Sequence, residues 1–180
     1  MFTTHTESTA NFWDANLGQI KEYEKAFRKA INEEVKEFKP DVIHGQHNWI
    51  STEIATETGI PTVITIHGTD LMGFERSKKE LANIRKELKE TTNSEEIRRL
   101  KDEEAKYNMY IEYANRAAMN AEKIIVISEA QKEEFDKLFP LASSKVELVE
   151  NGYDTSKFYV DETANKEEVI GTLAVSYTHL

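Results

Sequence analysis

Three short runs of β-branched residues most constrain what this chain can fold into. They are residues 41–45 (DVIHG), 62–67 (TVITIH) and 123–128 (KIIVIS), and each is almost continuously apolar. A run of this kind predicts a strand that is buried on both faces, whereas an alternating run predicts a strand with one face in water. A weaker fourth run covers residues 145–149. The four runs together predict about four strands of one parallel sheet.

Helical patterns separate these strand runs. The predicted helices cover residues 23–38, 49–58 and 129–138. Pro40 marks the end of the first helix, and Gly59 marks the end of the second. Ser128 and Gln131 predict a capping box at the start of the third. Because parallel strands need a crossover, this alternation is typical of an α/β domain with a partial Rossmann-like sheet and flanking helices.

Residues 75–106 differ in composition from the rest of the chain. Nineteen of these 32 residues are charged, nine acidic and ten basic, and the apolar residues form only a thin stripe. The polar break at residues 91–94 predicts the end of one helix and the N-cap of the next. We therefore expect an extended charged hairpin of two solvated helices that stands off the sheet. A separate helix, residues 107–121, should then pack its alanines against the sheet.

The overall composition excludes several classes of protein. The 33 acidic and 23 basic residues give a net charge of −10, which argues against generic binding to nucleic acid or anionic membranes. The absence of cysteine excludes disulfide scaffolds and thiolate sites. No apolar run approaches the ~18–20 residues that cross a bilayer, and the first residues lack the layout of a secretory signal. We expect a cytoplasmic globular chain.

Three histidines, His44, His47 and His67, fall at or just beyond the carboxyl ends of two predicted strands. Ligands of open parallel sheets bind in the crevice outside those ends. His67 is expected to be functional, since Gly68 after it permits close backbone approach or a positive φ. His44 is expected to be a hydrogen-bonded core histidine, and His47 could be structural or functional. Asp70 could contact a ligand or simply cap the following segment.

Other motifs carry little functional information. A zinc site built from the three histidines and Asp70 is a weak hypothesis, because the spacing is unusual and no thiolate supports it. The chain has no dinucleotide fingerprint, phosphate-binding loop or nucleophile elbow. The pair Asn151-Gly152 predicts a turn after the fourth strand and, by itself, nothing more.

Four segments in this order resemble a known family. They lie between about Pro40 and Phe158, and they read KPDVIHGQHNW, GIPTVITIHGTDL, NRAAMNAEKIIVISEAQKEEF and KVELVENGYDTSKF. Together they resemble the amino-terminal domain of family 4-like glycosyltransferases with the GT-B fold. These are retaining enzymes that transfer a sugar from a nucleotide-sugar to an acceptor. The resemblance implies a Rossmann-like domain that faces a second such domain across the active-site cleft.

The resemblance also implies roles for the residues near the first two strand ends. His67 matches the histidine of the family's HG motif, which contacts the transferred sugar near the reacting carbon. Gly68 then lets the backbone come close to that sugar. His47 matches a polar position on the acceptor side, and Asp70 lies in the same loop as His67 as a polar contact.

Two further pairs of residues match the family farther along the chain. Ser128 and Glu129 follow the third strand on the side of the cleft. Asn151 and Gly152 resemble the segment that leads into the second domain, with Tyr153 in place of the usual valine. We count these four residues, with His47, Gly68 and Asp70, as candidate substrate-binding residues.

The chemistry that the resemblance implies needs no cofactor and, in most members, no metal. The nucleotide-sugar is a co-substrate, and its diphosphate is a stabilised leaving group, so catalysis is mainly positioning and charge stabilisation. The leaving phosphate itself is thought to take the proton of the acceptor. The acceptor would be a sugar or a lipid-linked molecule, and a full-length enzyme would associate peripherally with the membrane.

The chain departs from the family pattern at both ends. The donor-binding half should follow residue 160, and the first strand should precede residue 41 by far more than 40 residues. We therefore expect an incomplete GT-B amino-terminal domain at residues 1–160, with Val42 and Ile43 on an unpaired sheet edge. Residues 161–180 would be the start of an interdomain segment and an artefactual tail. Such a fragment, without its carboxy-terminal donor domain, is expected to be inactive by itself.

Two alternative functions stay open. The chain could be a non-catalytic α/β binding module that docks a partner through the charged hairpin. It could also keep the GT-B architecture and epimerise nucleotide-sugars, because the HGTD string favours transfer only by resemblance.

Overall fold

Four parallel strands and the helices between them form the part of the chain that precedes Asn151. A computed structural model describes residues 12–152, 154, 156 and 157. Contacts divide the chain into one unit that ends at Glu150 and a second that starts at Asn151. The elements of the first unit are α1 (Leu17–Phe38), β1 (Ile43–Gln46), α2 (Ile50–Thr56), β2 (Thr62–Thr65), α3 (Gly68–Glu90), α4 (Ser94–Asn120), β3 (Lys123–Val126), α5 (Glu129–Leu138), a 3-10 helix (Pro140–Lys145) and β4 (Val146–Leu148).

The sheet has the order β1-β2-β3-β4, and every neighbouring pair is parallel. Ile64 of β2 pairs with Ile124 of β3, which pairs in turn with Val146 of β4. All four strand runs are therefore confirmed as strands, with ends that differ from the predicted ones by at most two residues. The predicted α/β class with a partial Rossmann-like sheet is confirmed as well.

One face of this sheet is much less buried than the other, so the prediction that the strands are buried on both faces is wrong. Burial alternates along β2 and β3: Ile64, Ile124 and Val126 are fully buried, whereas Thr65 and Ile125 are half-buried. The cause lies in the strand order. Each strand lies next to the one before it, and the sheet grows in one direction only. Right-handed crossovers then place all the connecting helices on the same face, which leaves the other face less buried.

The covered face of the sheet packs against α4 through small side chains. Ala114, Ala117 and Ala118 are fully buried and belong to one cluster with Ile64 and Ile124. Alanines let the helix axis approach the strands closely, and burying each isoleucine in this layer contributes about 2 kcal/mol. The predicted alanine face is confirmed.

The hairpin is better anchored than the sequence suggested. The break falls where expected, because Asn93 is the N-cap of α4 and its side chain accepts from the amides of Glu95 and Glu96 at 3.0 and 3.1 Å. However, α4 is a single helix from Ser94 to Asn120, so the prediction of a separate helix at 107–121 is wrong. The charged residues mask a continuous apolar stripe. Its members Leu81, Ile84 and Leu100 are buried in a second cluster with α1 and α2.

Helix α3 starts at Gly68, three residues after the end of β2 and seven residues before the charged segment begins. Helix α1 likewise begins earlier than predicted, at Leu17, because Asn16 and Gln19 form a capping box that the apolar pattern did not reveal. Its end agrees with the prediction: Lys39 adopts a left-handed conformation with φ 50° just before Pro40.

Strand β1 lies at one edge of the sheet, as expected, and its only strand partner among the described residues is β2. Val42, just before it, is 53% exposed. No helix in the described part of the chain is both long and apolar enough to cross a bilayer.

Candidate functional site

The carboxyl ends of β1 and β2 bring two histidines into contact. His47 directly follows β1, and His67 lies two residues beyond the end of β2. Their ring centroids are 4.6 Å apart, with the ring planes inclined at 47°. The backbone N–H of His47 donates to the carbonyl oxygen of Thr65 at 3.0 Å, so the strand pairing continues into the loops. The parallel register thus makes neighbours of the two candidate histidines.

Asp70 connects these two histidine loops. It occupies the first turn of α3, and its side chain is only 4% exposed. One carboxylate oxygen lies 2.7 Å from Nδ1 of His47, and the other accepts from the backbone N–H of His67 at 2.8 Å. Both oxygens are therefore engaged by the protein. The prediction that Asp70 caps a following segment is wrong, because Asp70 is the third residue of α3 and its carboxylate accepts from the N–H of the N-cap residue His67 at the start of its own helix. A contact between Asp70 and a ligand stays a prediction.

The backbone of His47 has an unusual conformation. Its φ of 71° lies in the left-handed region, which residues with a Cβ adopt infrequently and at some energetic cost. Thr52 stabilises the turn, because its hydroxyl donates to the carbonyl oxygen of His47. The turn directs the chain from β1 into α2 and leaves the imidazole of His47 34% exposed. No local sequence pattern predicted this conformation, because the contact with Thr52 that holds it is set by the surrounding structure.

Gln46, the last residue of β1, makes a side-chain contact with His67 that sequence reasoning missed. Its Oε1 lies 2.9 Å from Nε2 of His67, and its Nε2 lies 3.4 Å from Nε2 of His44. His44 is in turn 2.7 Å from the hydroxyl of Thr65. The expectation that His44 is a core histidine is wrong: it is exposed, because it points to the less buried face of the sheet. Successive side chains of a strand point to opposite faces of the sheet, so His44 and Gly45 face opposite sides. This alternation could have revealed that His44 is exposed.

An aromatic cavity lies beside the two histidines. Its lining consists of Phe12, Trp13, His47, Trp49, Thr69 and Asp70. The segment before α1 is held in place there by α4, since the ammonium of Lys106 donates to the carbonyl oxygens of Trp13 and Ala15 at 3.2 Å each. Burial among these groups lowers the pKa of Lys106. The sequence did not predict this contribution of residues 12–15, because they lie outside any periodic pattern.

The other candidate residues of the first unit occupy helix starts. Gly68 is the first residue of α3, and a Cβ added there would meet no other atom within 4 Å. The sequence analysis gave two reasons for a glycine here, a positive φ or close approach of a ligand to the backbone. The φ of Gly68 is not positive, so only the second reason remains. Ser128 is the N-cap of α5 and accepts from the amide of Gln131 at 3.2 Å, while Glu129 is exposed. The side chain of Gln131 accepts from Ile127 rather than from Ser128, so the predicted capping box is only half formed.

Asn151 and Gly152 belong to the second unit, where both are exposed. A turn follows them, in which the carboxylate of Asp154 accepts from the amide and the hydroxyl of Ser156 at 3.0 and 2.6 Å. Tyr153 and the predicted tail at 161–180 lie outside the described residues.

The groups at the strand ends suit the recognition of hydroxyl groups. Two imidazoles, the amide of Gln46 and the first turn of α3 can donate and accept hydrogen bonds beside an apolar wall. Among the described residues, no group of three or more histidine, aspartate or glutamate side chains has the geometry to hold a metal ion.

Comparison with known proteins agrees with this geometry. No curated protein matches the chain. The model of the family described as Glycosyltransferase Family 4 matches residues 12–157, which includes all four strands and both histidines. Since this match covers most of the sequence, the chain belongs to glycosyltransferase family 4.

Proposed function

We propose that this chain forms the acceptor-side part of a retaining glycosyltransferase that uses a nucleotide-sugar as donor. The observation that carries the proposal is the contact between His47 and His67 at the ends of adjacent parallel strands. Membership of the family supplies the reaction class, and the hydrogen-bonding groups at the site suit a substrate rich in hydroxyls.

His67 is the proposed catalytic residue, in contact with hydroxyls of the transferred sugar. Gly68 gives that sugar access to the first turn of α3, because no side chain stands there. His47 faces the acceptor, and the aromatic wall that includes Trp49 gives the acceptor an apolar surface. Asp70 fixes both loops, and we propose it as a polar contact as well.

We propose four further residues as substrate contacts. Ser128 and Glu129 follow the end of β3. Asn151 and Gly152 carry the chain toward a second domain, which would hold the diphosphate of the donor. In this proposal the chain works at the cytoplasmic side of a membrane when its acceptor is lipid-linked.

The proposed reaction balances without a covalent enzyme intermediate. The bond between C1 of the sugar and the diphosphate oxygen breaks, and the electron pair leaves with the diphosphate. The acceptor hydroxyl oxygen bonds to C1 on the same face, and its proton passes to the departing phosphate oxygen. The chain contributes position and charge stabilisation, which in comparable sites account for about 10²–10³-fold in rate.

The first test replaces His67 in the protein as expressed from its whole gene. His67→Ala should lower transfer from UDP-glucose or GDP-mannose, whichever is active, by about 100-fold. Lys86→Ala, on the exposed face of the charged hairpin, is the control and should leave transfer unchanged. The anomeric configuration of the product, measured by NMR, checks retention. Unchanged transfer with His67→Ala would remove the assignment.

The second test uses the present chain alone. In calorimetric titrations with UDP-glucose and GDP-mannose, we expect no binding tighter than about 1 mM, equivalent to ~4 kcal/mol. Micromolar affinity would show that the donor site lies within this chain and would contradict the acceptor-side proposal.

No observation favours the two alternative functions over transfer. The charges of the hairpin pair with one another, for example Arg85 with Glu104 at 2.9 Å and Arg99 with Glu103 at 2.8 Å, as in an ordinary solvated helix pair. Epimerisation would convert the nucleotide-sugar without an acceptor, so the transfer assay run with acceptor omitted distinguishes it.

A further inference from the structure

The side chains of four residues form a continuous hydrogen-bonded row along the exposed face of β1 and β2. The row runs from Thr65 to His44, then to Gln46 and finally to His67. The successive distances between the polar atoms are 2.7, 3.4 and 2.9 Å. Three of these four residues have no role in the reaction as proposed above.

The donor and acceptor roles in this row follow from Gln46. Its Oε1, which can only accept, faces Nε2 of His67, so Nε2 of His67 must carry the proton. Its amide nitrogen, which can only donate, faces Nε2 of His44, so that nitrogen must be unprotonated. Nε2 of His44 then also accepts from the hydroxyl of Thr65. Each of the three hydrogen bonds has its own proton.

The opposite orientation of the Gln46 amide would reverse the roles along the row. The amide would donate to His67, and its oxygen would face His44. The single Nε2 proton of His44 would then be shared by two acceptors, just as its single Nε2 lone pair is shared by two donors in the orientation observed. The structure has the first orientation, with Oε1 of Gln46 2.9 Å from Nε2 of His67, and the tautomer of His67 follows from that contact.

His47 has the opposite arrangement of protons. Its Nδ1 faces the Asp70 carboxylate, which can only accept, so Nδ1 carries the proton. The two rings in contact at the site thus differ: His47 is protonated on Nδ1 and His67 on Nε2. The second nitrogen of each neutral ring is an acceptor, which is what a sugar hydroxyl needs when it donates.

We propose that Gln46, whose amide contacts His44, is a positioning residue that fixes His67 as the Nε2–H tautomer and orients its ring toward the substrate. The role in transfer rests on the proposed function, whereas the tautomer itself does not. The isosteric variant Gln46→Met removes both polar atoms of Gln46 and keeps its volume. Gln46→Glu keeps the acceptor oxygen that His67 needs.

The direct readout is the NMR signature of the imidazole nitrogens, measured on this chain without substrate at about pH 8, where histidines are ordinarily neutral. We expect His67 to show a protonated Nε2 in the parent chain and in Gln46→Glu, and a mixture of both tautomers in Gln46→Met. His47 is the internal control and should keep its proton on Nδ1 in all three. A proton on Nδ1 of His67 in the parent, or no change in Gln46→Met, would overturn the proposal.

Transfer by the whole protein provides the second readout. Gln46→Met should lower kcat about tenfold with little change in KM, and Gln46→Glu should recover most of the loss. A thermal melt of each variant shows whether the fold is kept. If the tautomers change as expected while transfer does not respond even to His67→Ala, the proposed function fails and the assignment of the tautomer stands. If transfer responds to His67→Ala and not to Gln46→Met, Gln46 has no positioning role.

Discussion

Two buried carboxyl groups of this chain, Asp70 and Glu53, lie in different surroundings. Asp70 sits under the histidines, and both of its oxygens have hydrogen-bonding partners. Glu53 lies on α2 against α4 and is only 1% exposed. One of its oxygens accepts from Arg116 at 2.8 Å, and the other has no partner among the described residues. Burial and the nearby carboxylate of Glu57 raise the pKa of Glu53 to about 7.

The difference shows that the number of partners, more than the depth of burial, decides what a buried carboxyl group does. Two donors allow Asp70 to act as a rigid connection between two loops. A single cation, Arg116, does not offset the cost of burying the negative charge of Glu53. Neutral pH therefore lies within the titration range of Glu53. Glu57 behaves in the opposite way, because Arg28 lowers its pKa through a direct ion pair.

The largest expected effect is that of Asp70→Ala. It removes the acceptor for the N–H of the N-cap residue His67 and leaves the His47 ring without its partner, which should lower the free energy of unfolding by about 3 kcal/mol. Urea denaturation at neutral pH measures this. Asn93→Ala, which removes an exposed cap at α4, is the matched control and should cost only about 1 kcal/mol. Equal losses in the two variants would show that burial adds nothing at Asp70.

A smaller effect is expected from the titration of Glu53. The pKa is higher in the folded than in the unfolded chain, so its stabilising contribution is complete below about pH 4.5 and is lost as the pH rises through about 7. Between pH 5 and pH 8 the parent should therefore lose about 2 kcal/mol relative to Glu53→Gln, which cannot ionise.

Denaturation at several pH values measures this difference, and histidine titration cancels because both chains carry it. Glu57→Gln is the control with the opposite sign. The lowered pKa of Glu57 gives stability that is present above the unfolded value and lost only in acid. A parent and a Glu53→Gln variant with parallel pH profiles would contradict the assignment for Glu53.

The smallest effect is expected at Gly68, two residues from Asp70 in the same helix start. Since a Cβ there would meet no atom within 4 Å, Gly68→Ala should change the free energy of unfolding by less than about 0.5 kcal/mol. Thermal denaturation checks this. A large loss of stability would mean that the cap built around Asp70 depends on the glycine, and that Gly68 is not reserved for ligand access.

Much of the fold could be predicted because local chemistry determines it. The β-branched runs became strands, and Asn93 starts the second helix of the hairpin with a cap that depends on nearby residues alone. The contact of His47 with His67 also followed, since the carboxyl ends of parallel strands meet at one edge.

The rest depends on contacts that no local pattern shows. Gln46 meets His67 across two strands, and Phe12 and Trp13 reach the site from a segment without periodicity. The uneven burial of the sheet is set by the handedness of the crossovers and not by the composition of the strands. His47 is held in a left-handed turn by Thr52, and such a conformation is decided by the surrounding structure.

The continuity of α4 has a consequence for local opening. With 27 residues, the helix is about 40 Å long. Its first half carries the charged stripe of the hairpin, and its second half lies beneath the sheet with Tyr110 and Ala117 fully buried. Amide hydrogens in the second half should exchange with deuterium only when the sheet itself unfolds, whereas those near Asn93 should exchange through fraying. One helix would then contain both slowly and rapidly exchanging amides. The boundary between them should lie near Lys106, whose ammonium donates to the carbonyl oxygens of the segment that lines the cavity.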